Sequence, residues 1–348
     1  MLHVNNIFKR QQSRPASCLE IFMTAHLADS HRGFTRRALL RSAAATATLA
    51  AGAVNSTIAH ASTRAQKRFD LSQPSYDLFR GASLHSQTVP QGFAFDDVNG
   101  RFFVIQLTSN TSSTSGDLTI TQLTLDGEEL GFMQLTGFGH GVSIAAQPVG
   151  KGTYLWTETD ANSNGYGTRL TCFPFVNGAT LDHTSASLPK YVPIADGLEF
   201  TCAIDPRHAR MAVRYHTTNG KRIAVFPLAE ATEGNFSKPI FDIAQPAELA
   251  GVVFQGYALY GDYLYTLDGT AYGSTNPAPG NANVSAIDLR TGNLVQRVLT
   301  RAGGSLTYRE PEGMTVSTIQ GKPRLYFGFA SETGSPRLTN VFYKKVMV

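Results

Sequence analysis

A short phrase near the end of the chain, Arg309-Glu310-Pro311-Glu312-Gly313-Met314-Thr315-Val316, is echoed at four earlier places. Gln91-Gly92-Phe93-Ala94-Phe95, His140-Gly141-Val142-Ser143-Ile144, Glu199-Phe200-Thr201-Cys202-Ala203 and Gln255-Gly256-Tyr257-Ala258-Leu259 align beneath Glu312-Gly313-Met314-Thr315-Val316. Each begins with a long polar residue and runs on into small or apolar ones. The echoes recur at intervals of roughly 50–60 residues, a period that suits one four-stranded blade of a β-propeller. The chain is therefore expected to be all-β, a five-bladed β-propeller with four-stranded blades.

Patterning between the echoes is strand-like. Arg101–Leu107 follows the two-residue turn signal Asn99-Gly100, and Leu118–Leu123 runs toward a second one, Asp126-Gly127. Tyr263–Leu267 and Val284–Leu289 repeat the alternation before Thr291-Gly292. Only Ala229–Ala231 and Ala247–Leu249 suit single helical turns, and 32 glycines fit a chain built of hairpins. The last repeat has room for three strands, at Met314–Ser317, Arg324–Phe329 and Asn340–Lys345. An open ring would leave a bare sheet edge, so an N-terminal strand from Phe69–Leu84 is expected to complete the last blade.

Residues 1–61 read as an export leader rather than fold. Thr35-Arg36-Arg37-Ala38-Leu39-Leu40-Arg41 fits a twin-arginine signal, a weakly apolar run spans Ser42 to Val54, and Ala59-His60-Ala61 offers a cleavage site. The apolar run is too short for a membrane span. The stretch before it, with an internal Met23, reads as an over-extended start, and residues 62–348 as a single secreted propeller. The formal net charge of +4 resides in the leader, which holds seven Lys/Arg and two Asp/Glu; residues 62–348 carry 23 basic and 24 acidic residues. That balance gives no basic face for nucleic acid. Of the three cysteines, Cys18 falls in the leader, and Cys172 and Cys202 read as buried thiols rather than a bridge.

First strands of propeller blades line the central channel, so Gln91, His140, Glu199, Gln255 and Glu312 are expected to form a ring at its mouth. Two carboxylates, an imidazole and two amides there suit a cation or a polyhydroxylated or phosphorylated ligand; channel polar groups also need partners of their own. Asp160-Ala161-Asn162-Ser163-Asn164-Gly165 has the spacing of a calcium loop, with Asp160, Asn162 and Asn164 as oxygen ligands. Thr171 stands where the closing acidic ligand belongs, which favours an ordinary Asn-Gly hairpin tip; a divalent cation such as calcium is the one cofactor the sequence suggests. His183, His208 and His216 read as isolated surface histidines. Nucleophile elbows, zinc-protease motifs and phosphate-binding glycine loops are absent from the sequence.

Ser86-x-x-x-Pro90-Gln91-Gly92-Phe93-Ala94-Phe95-Asp96, Tyr154–Glu158, Tyr166–Leu170, Gln255-Gly256-Tyr257 and Glu310–Met314 together resemble a shared propeller domain. It is that of the teichoic acid biosynthesis protein C family and certain phage receptor-binding proteins, with helveticin-type bacteriocins as relatives. The resemblance runs from about Leu71 to Val348 and implies a five-bladed propeller that handles cell-wall glycopolymers, without a catalytic set to carry over. Two function classes follow. One is a monomeric secreted binding module that grips an anionic or sugar-rich polymer, with Arg169, Arg214, Arg309, Trp156, Tyr257 and Glu158 joining the ring as candidate contacts. The other is a hydrolase of such a polymer, with Glu199 and Glu312 as acid and base, His140 beside them and Glu158 in reserve.

The leader generates its own test. Replacing Arg36 and Arg37 together by Lys keeps the charge and removes the guanidinium pair that an export receptor reads. Secretion of the double variant should be blocked; normal secretion would contradict a twin-arginine signal.

Overall fold

The computed structural model describes Cys18, residues 66–319 and residues 321–348. Apart from Cys18, the expected leader and its cleavage site lie outside these residues. β1 (Tyr76–Ala82) is followed by blade one: β2 (Pro90–Asp96), β3 (Arg101–Leu107), β4 (Leu118–Leu123) and β5 (Glu129–Thr136). Blade two holds β6 (Ala145–Val149), β7 (Gly152–Ala161) and β8 (Gly167–Pro174). The chain then returns to blade one with β9 (Thr180–Asp182), parallel to β5, before β10 (Lys190–Tyr191) completes blade two. Blade one is thus five-stranded, one short strand more than expected.

Blade three is β11 (Leu198–Asp205), β12 (Arg210–Thr217), β13 (Gly220–Pro227) and β14 (Phe241–Ala244). Blade four is β15 (Phe254–Tyr260), β16 (Tyr263–Asp268), β17 (Asn283–Asp288) and β18 (Asn293–Leu299). Blade five is β19 (Glu310–Ile319), β20 (Lys322–Ser331) and β21 (Leu338–Lys344), with β1 as its outermost, antiparallel strand. The ring is therefore closed by the N-terminal strand, as the missing strand in the last repeat requires. Phe69 extends this closure: it bridges Met347, and its amide donates to the Tyr265 hydroxyl at 3.0 Å. Among residues 66–319 and 321–348, helix is confined to α1 (Leu228–Thr232) and a 3-10 turn at Ala247–Leu249. Among the described residues no helix is long and apolar enough to cross a membrane.

Each face of each inner strand is buried against a neighbouring blade, so the core is five interfaces rather than one centre. In β3, Phe103 packs toward blade two and Phe102 toward blade five. In β7, Leu155 faces blade one and Trp156 faces blade three. In β15, Tyr257 faces blade three and Ala258 faces blade five. Burial on both faces explains why these strands read as nearly continuous apolar runs rather than apolar-polar alternation.

The cysteines differ from expectation. Cys18 is joined to Cys172 by a disulfide, while Cys202 is a free buried thiol in the same interblade cluster. After a cut at Ala61, the segment carrying Cys18 would be held to the propeller only through this bridge, and without the bridge Cys172 would be a second buried thiol.

Near the axis the inner strands approach so closely that glycine is required. A Cβ on Gly313, which has φ +73°, would stand 2.7 Å from Phe93 Cδ1 and 3.0 Å from Gly92 Cα. One on Gly256 would stand 3.0 Å from the Gly313 backbone, and one on Gly92 3.1 Å from the Gly141 carbonyl. Gly178 shares the left-handed backbone, at φ +76°, yet faces open space. Gly313→Ala should therefore lower unfolding free energy by about 2 kcal/mol more than Gly178→Ala, read by denaturant titration. Equal costs would show that the axis tolerates a methyl group. Deleting residues 62–84 should expose the β21 edge and lower Tm by roughly 10 °C or more. An unchanged Tm would contradict the closure.

Candidate functional site

The repeated phrase has a structural meaning: in four blades it is a β-bulge at the start of the inner strand. Pro90 pairs with Gln106 and Gly92 with Ile105, which leaves Gln91 as the extra residue. Gln255 is extra between the Phe254–Asp268 and Gly256–Leu267 pairs, and Gly313 between Glu312–Gly328 and Met314–Phe327. In β11 the irregularity falls between Leu198 and Thr201 and includes Glu199 at φ +54°, a conformation that costs a non-glycine residue about 1–2 kcal/mol. Bulges re-aim side chains, and here they accompany the polar lead residues at the mouth.

Blade two does it differently. His140 precedes β6, and its loop is fastened by the buried carboxylate of Glu158. Glu158 Oε1 accepts the amides of His140 at 3.1 Å and Gly141 at 2.8 Å, and Oε2 that of Gly167 at 2.5 Å. Burial pushes the Glu158 pKa up to about 7, against the pull of the surrounding backbone amides.

The ring residues largely converge. Gln91, His140, Gln255 and Glu312 line one cavity of about 440 Å³, together with Glu310 and Tyr166. Glu199 lines an adjoining cavity of about 340 Å³ with Glu158, Arg214, His216 and Lys221. Val142, Tyr166, Val253 and Phe254 border both cavities, so the two form halves of one mouth.

In the first half, Glu312 is only 5% exposed and has no ion-pair partner among the described residues. Burial, reinforced by Glu310, raises its pKa well above the usual carboxylate range. The other ring carboxylate, Glu199, is taken by His216, Nδ1 to Oε2, at 2.8 Å. The amide nitrogens of Gln91 and Gln255 donate to the Val89 and Gly269 carbonyls at 3.4 Å and 3.1 Å. His140 stacks on Tyr166 with ring centres 5.0 Å apart, its Nδ1 lacks a hydrogen-bond partner, and burial lowers its pKa.

The second half is cationic. Arg214, 6% exposed, lies 4.0 Å over the Phe254 ring and donates only to the neutral Gln245 Oε1, at 3.4 Å from Nε and 3.3 Å from Nη2. No carboxylate among the described residues pairs with it, and burial lowers its pKa to about 10. Lys221 adds a second positive charge at this end.

Several candidates lie elsewhere. Trp156 is wholly buried between blades, its Nε1 donating to Gln147 Oε1 at 2.9 Å, and offers no face to a ligand. Tyr257 is buried as well: its hydroxyl accepts the Arg214 amide at 3.3 Å and donates to the Ala212 carbonyl at 3.4 Å. Arg309 is a structural cation, donating to the Ala302 and Thr300 carbonyls at 2.9 Å each and lying 4.2 Å over Phe329. Arg169 is exposed and pairs with Asp160 at 3.5 Å. Asp160 also holds His183, at 2.9 Å, and Lys190. Asn162 Oδ1 accepts the amides of Asn164 and Tyr166 at 2.9 Å and 3.1 Å, the arrangement of a hairpin tip. Among the described residues no three acidic, His or Cys side chains gather as metal ligands.

The histidines are not isolated: His183 meets Asp160, His208 meets Asp205 at 2.6 Å, and His216 is part of the mouth. Tyr166, Lys221, Glu310 and His216 are the mouth residues that sequence reasoning passed over. Hairpin geometry signals two of them, His216 and Lys221. The end of the second strand of a blade lies beside the start of the first, so Arg214 and His216 on β12 flank Glu199, and Lys221 opens β13 opposite His216.

Comparisons with known proteins agree with this architecture. The chain is 28% identical over 292 residues to the putative major teichoic acid biosynthesis protein C of Bacillus subtilis (strain 168), covering 80% of this chain and 64% of that protein. It thus spans less than two thirds of the relative's length. Its fold matches the tail fiber of Staphylococcus aureus phage P68 with a TM-score of 0.65 at 18% identity, over 80% of this chain and 54% of that one. An α-L-arabinofuranosidase from Lactobacillus brevis aligns at 12% identity with a TM-score of 0.45, over 75% of this chain and 92% of that one. A model of the phage 5-bladed beta propeller receptor binding platform domain matches residues 89–343, and the chain belongs to that family.

Proposed function

We propose that this protein is a secreted, monomeric receptor-type propeller that binds an anionic cell-surface glycopolymer at the axial mouth. The observation that carries the proposal is Arg214. A buried guanidinium without a directly paired carboxylate is costly, and here its lost hydration is offset only by the neutral Gln245 oxygen, the Phe254 face and the unpaired pull of Glu199. Arginine also matches phosphate geometry with paired donors, so a phosphodiester would supply the missing counter-charge. Tyr166 gives the mouth an aromatic wall suited to a sugar ring. The family's receptor-binding character and the likeness to a teichoic acid biosynthesis protein support the same ligand class.

Hydrolysis is the second reading, and Glu312 favours it, since burial raises its pKa and so favours the protonated form that a general acid needs. Glu199, expected as the base, is instead held by His216 in the adjoining half of the mouth.

Incubating the protein with bacterial wall preparations, and scoring both retention and release of soluble phosphate or sugar, separates the two readings. Retention without release is expected; release that disappears in Glu312→Gln would establish hydrolysis instead. Arg214→Met keeps the volume and deletes the charge, so polymer affinity should fall at least about tenfold, or ~1.4 kcal/mol. Stability should hold or rise, since a buried unpaired charge has been removed. Undiminished binding by a folded Arg214→Met protein would contradict the proposal.

A further inference from the structure

We infer that the mouth is built for a zwitterionic unit, with an ammonium group against Glu310 and Glu312 while the phosphate sits at Arg214 and Lys221. This rests on the proposed anion site and extends it to the other half of the mouth. Glu312 and Arg214, an acid and a base, are each more than nine-tenths buried, line adjoining halves of one cavity, and have no opposite charge within ion-pair distance among the described residues. Two such groups close enough to pair would be ordinary. Held apart in one opening, they call for a ligand that carries both charges.

The first half is rich in acceptors. Glu310 and Glu312 supply carboxylates, and with one N–H of each of Gln91 and Gln255 turned to a backbone carbonyl, their amide oxygens remain as acceptors. Neither arginine nor lysine lines it. An ammonium group brings three donors and no acceptor, which matches that wall better than a hydroxyl, itself half acceptor. The titratable groups around Glu312 are Glu310 and Tyr308 from its own segment and His140 and Tyr166 from blade two; the flanking inner strands present Gln91 and Gln255. A bound cation would favour the ionised form of Glu312, so binding should expel its proton to solvent.

The test uses three phosphates: O-phosphoethanolamine, its N-acetyl derivative, and glycerol 3-phosphate, titrated calorimetrically near pH 6.5 in buffers of different ionisation enthalpy. O-phosphoethanolamine should bind at least tenfold more tightly than the other two and release a proton. Glu312→Gln should reduce that preference to threefold or less and abolish the proton release. Arg214→Met should weaken all three alike. Equal affinity for the three phosphates overturns the ammonium site and leaves the anion site standing. No binding of any of them overturns both. If calcium chloride alone stabilises the protein through Glu312 and competes with none of the phosphates, that half is a metal site and the inference fails.

Discussion

The structure depends on how closely five inner strands approach one axis. With only five blades the strands meet backbone to backbone, and Gly92, Gly256 and Gly313 mark places where a side chain would strike the neighbouring strand. Four of the five inner strands respond with a bulge at that level. The extra residue relieves the ladder and accompanies a polar lead residue at the opening. The repeated phrase is therefore a packing solution that also furnishes the mouth. Blade two reaches the same end through Glu158, whose carboxylate gathers the backbone amides around His140.

Charge at the mouth is arranged at a cost to stability. Arg214 cannot shed its proton at neutral pH, and its best local acceptor is a neutral amide at 3.3 Å. Glu312 can escape part of the penalty by taking up a proton, which burial and Glu310 both favour. Some buried charge elsewhere is paired, Asp268 receiving both terminal nitrogens of Arg297 at 2.7 Å, while Arg309 and Lys344 rest on backbone carbonyls. What sets Arg214 and Glu312 apart is that they stand in the walls of one opening, where something outside the chain can reach them.

The fold was legible because period and hairpin signals report backbone geometry that every blade must share. The closing strand was legible for a related reason, since a three-stranded last repeat has no other way to cover its edge. Four of the five ring residues share a cavity for the same cause. Side-chain roles were harder to read. Trp156 and Tyr257 sit beside the motifs, yet both faces of a propeller strand are buried, so an aromatic there belongs to an interblade core as readily as to a mouth. Arg309 directly precedes the last motif, but its guanidinium turns to the Thr300 and Ala302 carbonyls. His216 and Lys221 lie far from any lead residue in sequence and reach the mouth only through antiparallel register.

The most direct test of a ligand site at the axis is a crystal structure with a short phosphodiester fragment of a wall glycopolymer. The account predicts the fragment within the mouth, one phosphate about 2.7–2.9 Å from the Arg214 guanidinium and a sugar face against Tyr166. A fragment bound on the outer edges of the blades, with the mouth filled only by water, would contradict it.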